Sequence, residues 1–268
     1  MNDQPTPRTI DVSVEVVGTP EEVWTAIATG PGISSWFVPT TVEEREGGAT
    51  ISVFGPGPGM TVPGRVAAWE PPHRVLFEGD EGDQGLAFEW LVEARDGGSC
   101  VVRLVNSGFG SGAEWDAQYD GMEQGWRLFL LNLQLHLAHF PGQVARAILP
   151  SATWAGDKAT AWAAVTDALG IPAAPAVGER IVASGDTPPL AGTVVDCEPG
   201  FRMRLLLDAP QPGTGLIAAE GAGEATGVSV WLYLYGEEAE AVAARDEPRW
   251  SAWLAERGVP APAGAPVG

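Results

Sequence analysis

The residues able to do chemistry in this 268-residue chain are few: three histidines, two cysteines and some glycine-rich stretches. His136 and His139 stand three apart in a run of helical periodicity, so both could touch one metal ion. Zinc takes three or four ligands, and no Cys, Asp or Glu is spaced to complete the set. His136-Leu137-Ala138-His139 also lacks the glutamate and the i,i+4 spacing of an HExxH site. The competing reading is a pair of helix-end histidines favoured by the macrodipole, and no metal is expected. Gly213-Thr214-Gly215-Leu216-Ile217-Ala218 matches the GxGxxA dinucleotide fingerprint, yet no helix pattern follows it and no alternating strand-helix order surrounds it. Gly55-Pro56-Gly57-Pro58-Gly59 is a poor phosphate cradle because proline has no N–H to offer, and a turn or mobile loop is expected there. No GxSxG elbow occurs. Cys100 and Cys197 lie in apolar runs without CxxC spacing, as small buried hydrophobes in a reducing compartment would. Nucleophilic catalysis finds no support, and no cofactor is expected.

The elements around these residues follow from capping signals and periodicity. Thr19-Pro20-Glu21-Glu22 is a capping box with proline at the first helical position, and Val23, Trp24 and Ile27 give that helix an apolar stripe. A strand over 9–17 precedes it. Gly30-Pro31-Gly32 reads as the break after this helix, with a short second helix over 33–38 presenting Trp36 and Phe37. From Thr40 to Asn106 the period becomes two, with strands expected at 40–46, 49–54, 61–69, 73–79, 86–95 and 99–106. Connections this short make an antiparallel meander. Ser111-Gly112-Ala113-Glu114 is a second capping box, opening a helix of about seven turns whose apolar positions run from Trp115 to Leu137. Such a helix cannot bury its apolar face alone, and the concave side of the preceding sheet is the surface available to it.

The same order returns in weaker form. Val144 to Ala152 reads as an opening strand weakened by Pro150, and Asp157 caps a helix carrying Trp162, Val165 and Leu169. Strands are expected near 178–183, 190–197, 201–208, 214–219 and 226–235, with a last helix holding Trp250, Trp253 and Leu254. Gly64-Arg65-Val66 through Glu70-Pro71 is echoed by Gly192-Thr193-Val194 through Glu198-Pro199, which argues for an internal repeat. The expected domains are 8–142 and a shorter 143–257, followed by a disordered Pro/Ala/Gly-rich tail over 258–268. Trp154 has no role in this scheme.

Composition narrows the partners. The balance of 35 acidic against 15 basic residues, a net charge of −20, repels phosphate backbones and anionic lipid surfaces, so nucleic acid is not an expected partner. Residues 1–9 carry no signal-peptide pattern and no 18-residue apolar run occurs, so a cytoplasmic location without membrane insertion is the expectation.

Specific residues sharpen the reading. Glu21-Glu22-Val23-Trp24, Trp36-Phe37, Gly64-Arg65-Val66 before Glu70-Pro71-Pro72, Phe88-Glu89-Trp90, Asn106-Ser107-Gly108-Phe109-Gly110 and the run from Glu114-Trp115-Asp116 to Trp126 are involved. Over residues 8–140 they resemble the START-like, birch-allergen-like SRPBCC superfamily, in the branch of homologues of the heat-shock-protein-90 ATPase activator. The resemblance implies an α+β helix-grip fold in two tandem copies, each a curved antiparallel sheet wrapped around a long C-terminal helix. The second copy departs by losing the Trp36-Phe37 counterpart and the Gly-Phe-Gly segment ahead of its last helix. The resemblance also implies a cavity between sheet and helix for an apolar small molecule. Its candidate lining is Trp36, Phe54, Phe77, Phe88, Trp90, Trp115, Met122 and Trp126, with Arg103, Asn106 and Tyr119 as the polar members. Plain core packing is the competing reading for each of them. A polyketide cyclase or aromatase would need those polar groups inside the cavity to move protons and stabilise an enolate, and a co-chaperone-like module would use an exposed patch on a protein partner instead. A tandem repeat that buries in one chain what single-domain relatives bury by dimerising is expected to be a monomer.

Overall fold

The first capping box forms as its residues require. In the computed structural model, which describes residues 8–55, 57, 59–79, 85–110, 113–221 and 224–259, strand β1 (Arg8–Val17) leads into helix α1 (Pro20–Ala28). The Thr19 hydroxyl accepts the Glu22 N–H at 3.3 Å and the Glu22 carboxylate accepts the Thr19 N–H at 2.8 Å. The next helix corrects the sequence expectation of 33–38: α2 spans Gly30–Ser34, so the Gly-Pro-Gly read as a break is its first turn. Proline there lacks only an N–H that the helix would leave unpaired anyway, and Thr29 accepts the Gly32 N–H at 3.1 Å as the cap. Gly32 is required by the close approach to α1, since a Cβ would stand 2.0 Å from the Thr25 carbonyl oxygen.

Six further strands follow: β2 (Thr40–Val42), β3 (Ala49–Val53), β4 (Thr61–Glu70), β5 (Arg74–Gly79), β6 (Ala87–Arg95) and β7 (Ser99–Phe109). With β1 they form one antiparallel sheet in the order β1-β7-β6-β5-β4-β3-β2. Helix α3 (Ala113–His139) lays Trp126, Leu130, Leu133 and Leu137 into the core that Val66, Val75, Trp90 and Leu104 build from the sheet. This is a helix-grip arrangement: neither face could leave water without the other. Ser111 and Gly112, half of the second capping box, lie outside the described residues.

The chain divides into two compact units, one ending at Val144 and the next beginning at Ala145. The second contains β8 (Arg146–Ile148), β9 (Ser151–Ala155), α4 (Lys158–Leu169), β10 (Arg180–Val182), β11 (Ala191–Glu198), β12 (Arg202–Ala209), β13 (Gly213–Glu220), β14 (Ala225–Leu234) and α5 (Ala239–Arg257). Its sheet runs β10-β11-β12-β13-β14-β8, with β9 also on β14, which is the first unit's order with one edge strand and the second short helix missing. The single opening strand expected over 144–152 is instead two, interrupted at Leu149-Pro150, where proline has no N–H for the ladder. The GxGxxA stretch is buried strand β13, with no helix at its end. Trp154 now has a role: it is buried, and its indole N–H donates to the Leu254 carbonyl at 3.1 Å, tying β9 to α5. Two residues of the expected disordered tail are ordered, the Val259 N–H donating to the Thr153 carbonyl at 2.7 Å, while 260–268 fall outside the described residues. Among the described residues, no helix is long and apolar enough to cross a membrane.

The two echoed segments behave alike. In β4 the register slips between Val66 and Ala68, and in β11 between Val194 and Asp196, so each copy carries a bulge just after its Gly-x-Val. In both, the glycine faces the next strand's backbone. A Cβ on Gly64 would meet the Glu78 carbonyl oxygen at 2.7 Å and one on Gly192 the Leu206 carbonyl oxygen at 2.4 Å. Gly64→Ala and Gly192→Ala are each expected to destabilise the protein by about 1–3 kcal/mol, because a ladder strand must shift to make room. The check is a lower urea midpoint at unchanged m, and a midpoint equal to wild type would show that the strands yield freely.

Candidate functional site

In the first unit the concave face changes character along its length. Toward one end Val66, Val75, Val92, Cys100, Val102 and Leu104 are all buried, and the α1 side is closed by Trp24, set edge-on to Trp69 at 4.9 Å. Toward the other end Val62, Phe77 and Phe88 are only half-buried, although they share the inner face with those residues. Phe54, just beyond β3, is exposed. Side chains between a sheet and its helix keep water-accessible surface only where the two do not close, so the inner face is less completely covered toward this end.

Its walls are aromatic. The Phe37 ring stacks on Trp126 at 5.2 Å and stands edge-on to Phe129 at 4.5 Å and to Phe54 at 5.7 Å. Trp126 also meets Phe88 at 5.7 Å and Trp90 at 5.6 Å, and Trp90 meets Trp36 at 5.6 Å. Met122 and Trp115 on α3 are half-buried against the same core. These edge-to-face and offset contacts are the preferred geometry of aromatic quadrupoles, and they hold the rings in place around the space they border.

The three polar candidates part company. Arg103 is a correction: it lies on the outer face, half-exposed, with its Nε donating to the Asp11 carboxylate at 2.8 Å in a bidentate pair. The reason is strand parity, since Val102 and Leu104 on either side of it point inward. That hydrogen bond holds the Asp11 carboxyl below its usual range. Asn106 does face inward and is fully buried, with its amide donating to the Ala87 carbonyl at 3.1 Å and its oxygen accepting the Trp126 indole N–H at 3.3 Å. It fixes the Trp126 ring. Tyr119 is half-buried beside Phe109, and its hydroxyl donates to the Thr9 carbonyl at 3.1 Å.

Two residues in this region were not among the candidate lining residues. Phe37 stands at the centre of the ring cluster; its place next to Trp36 was the available signal. Thr50 on β3 is buried on the inner face, and nothing in an isolated threonine announced it. The histidines do not converge: His136 is buried and His139 exposed, and among the described residues no group of three His, Cys, Asp or Glu side chains could hold a metal. Burial brings the His136 imidazole down to about 4 and raises the Cys100 thiol above its ordinary value. In the second unit the inner-face residues Val194, Met203, Leu205, Leu207, Ile217, Val228 and Val230 are all buried, so that inner face is covered more completely than the first unit's.

Residues 18–138 match the family model described as Activator of Hsp90 ATPase homolog 1-like protein. No curated protein matches the sequence. Among solved structures, the chain is similar to protein MLL2253 from Mesorhizobium loti at 20% identity, covering 50% of this chain and 98% of that one with a TM-score of 0.44. It is also similar to DynU16, a protein in the dynemicin biosynthetic locus, at 18% identity, covering 93% of this chain and 96% of that one with a TM-score of 0.43. The di-domain ARO/CYC BexL from the BE-7585A biosynthetic pathway is 13% identical, with 95% of this chain and 100% of that one covered and a TM-score of 0.44.

Proposed function

Because residues 18–138 match the family model described as Activator of Hsp90 ATPase homolog 1-like protein, we propose that the first unit is a binding module that holds an apolar small molecule in the groove between its sheet and α3. One observation carries the reading: Phe77 and Phe88 face inward and remain half-buried, on a sheet face that is sealed toward its other end. A concave apolar surface with few polar groups is what small hydrophobic ligands fill. The cyclase alternative loses ground with the polar set, because Arg103 is outside and the side chains of Asn106 and Tyr119 are already engaged with protein atoms. The reading needs no protein partner, and the module works as a cytoplasmic monomer.

Titration with N-phenyl-1-naphthylamine, an uncharged dye that brightens in apolar surroundings, tests this. Saturable, blue-shifted emission at one dye per chain is expected. Arg103→Ala is expected to leave the titration unchanged, since that side chain stands on the opposite face of the sheet. Emission that rises linearly without saturating would sink the binding module.

A further inference from the structure

Thr50 sits on the inner face of β3 directly opposite Gly64 of β4, and Gly64 in turn pairs with Gly79 of β5. One row of the groove floor therefore consists of two positions without side chains beside a hydroxyl. Thr50 is 9% exposed, and its Oγ1 makes no hydrogen bond to any described residue. The hydroxyl leans over the bare floor, since a Cβ on Gly64 would come within 2.9 Å of it. The other polar groups near the groove are engaged: Ser52 shares a hydrogen bond with Thr40 at 3.1 Å, while Asn106 and Tyr119 hold the partners given above. The oxygen is not one of the fully enclosed polar atoms left without a partner, so water reaches it in the free protein and a ligand's polar group would take that water's place.

We infer that the Thr50 hydroxyl is the hydrogen-bonding anchor of the groove and that the ligand is an uncharged molecule whose apolar body lies over Gly64 and Gly79 and whose carbonyl or hydroxyl meets Thr50. The inference rests on the reading of the groove as a binding site. The ligand is uncharged because none of the described inner-face positions of β3 to β7 carries a charge, and an ion taken from water would find no counter-ion there. The chain's net charge of −20 disfavours an anion further.

Three naphthalenes of similar shape, displacing N-phenyl-1-naphthylamine from the full chain, separate the outcomes: 2-acetonaphthone, 2-ethylnaphthalene and 2-naphthoate. Thr50→Val keeps the shape and removes the hydroxyl. It is expected to weaken 2-acetonaphthone about threefold to tenfold, the range of one neutral hydrogen bond, and to change 2-ethylnaphthalene by less than about twofold. Thr50→Ser, which keeps a hydroxyl, is expected to restore the ketone's affinity. In the wild type, 2-naphthoate is expected to displace the dye at least about tenfold less well than the ketone. Thr50→Val is also expected to melt no lower than wild type, so an affinity change will not reflect misfolding. A ketone and hydrocarbon weakened equally by Thr50→Val would overturn the anchor while leaving the binding module standing. A naphthoate as tight as the ketone would overturn the uncharged class. No displacement by either neutral compound would sink the groove reading itself, and the anchor with it.

Discussion

Replacing Trp36 by alanine is expected to remove about 3–5 kcal/mol of stability, the range of a large aromatic deleted from a packed core. The side chain is 1% exposed and joins several elements at one point. Its indole N–H donates to the Ala26 carbonyl of α1 at 2.8 Å, its ring stands edge-on to Trp90 of β6, and its backbone carbonyl receives the Asn132 amide of α3 at 2.8 Å. Alanine keeps only the last of these, leaves the Ala26 carbonyl without its indole donor, and opens a void beside Trp90 and Phe37. Trp36→Phe should recover more than half of the loss, because it restores most of the volume without the hydrogen bond. Urea unfolding followed by far-ultraviolet circular dichroism measures both variants. A Trp36→Ala loss below about 1 kcal/mol would mean that the surrounding rings collapse into the gap, contrary to the rigidity argued for the aromatic cluster.

The second large effect is expected on acidification. Burial holds the His136 imidazole at about 4, against 6.5 for an unperturbed histidine, so the folded protein keeps it neutral while the unfolded chain takes up a proton. The contribution is fully present above pH 6.5, is lost as pH falls from about 6.5 to about 4, and levels off below that. Over the whole interval the loss comes to about 3 kcal/mol, since each tenfold difference in proton affinity between the folded and unfolded chain is worth about 1.4 kcal/mol. The paired aspartates fall in a different window. Asp11, Asp186 and Asp208 are lowered first of all by hydrogen bonds to arginine, so their stabilisation is lost only below the ordinary carboxylate value of 3.8. His136→Gln cannot titrate and should lose markedly less stability than wild type between about pH 7.5 and pH 4.5, whatever its stability at neutral pH. Parallel curves for the two proteins across that interval would remove His136 as the acid-sensitive group.

Much of the architecture was legible because local signals agreed with the global fold. Thr19 and Glu22 cap as a pair in any context, the apolar spacing of α3 fits only a helix, and Asp157 accepts the Thr160 N–H as a cap residue does. Gly30-Pro31-Gly32 was misread because the same residues that end one helix can begin another, and only contact with Thr25 shows which they do. Arg103 was open to correction from sequence: it alternates with Val102 and Leu104, and that parity already put it outside. Thr50 was not. In β3 the apolar Ile51 is exposed while Thr50 is buried, so the hydrophobic pattern of that short strand points to the wrong face. What decides its orientation is pairing with Gly64, a residue on the neighbouring strand whose missing side chain makes the room.

The shared bulge after Val66 and after Val194 has a consequence for anyone who would exchange parts between the halves. It is a common ruler mark. A strand's inward and outward residues swap at such a slip, so a graft cut on the same side of the mark in both copies keeps every side chain on its native face. A graft cut on opposite sides of it would turn the remainder of the strand inside out. The two copies differ in sequence, and this fault in the weave still gives the register in which one can be laid over the other.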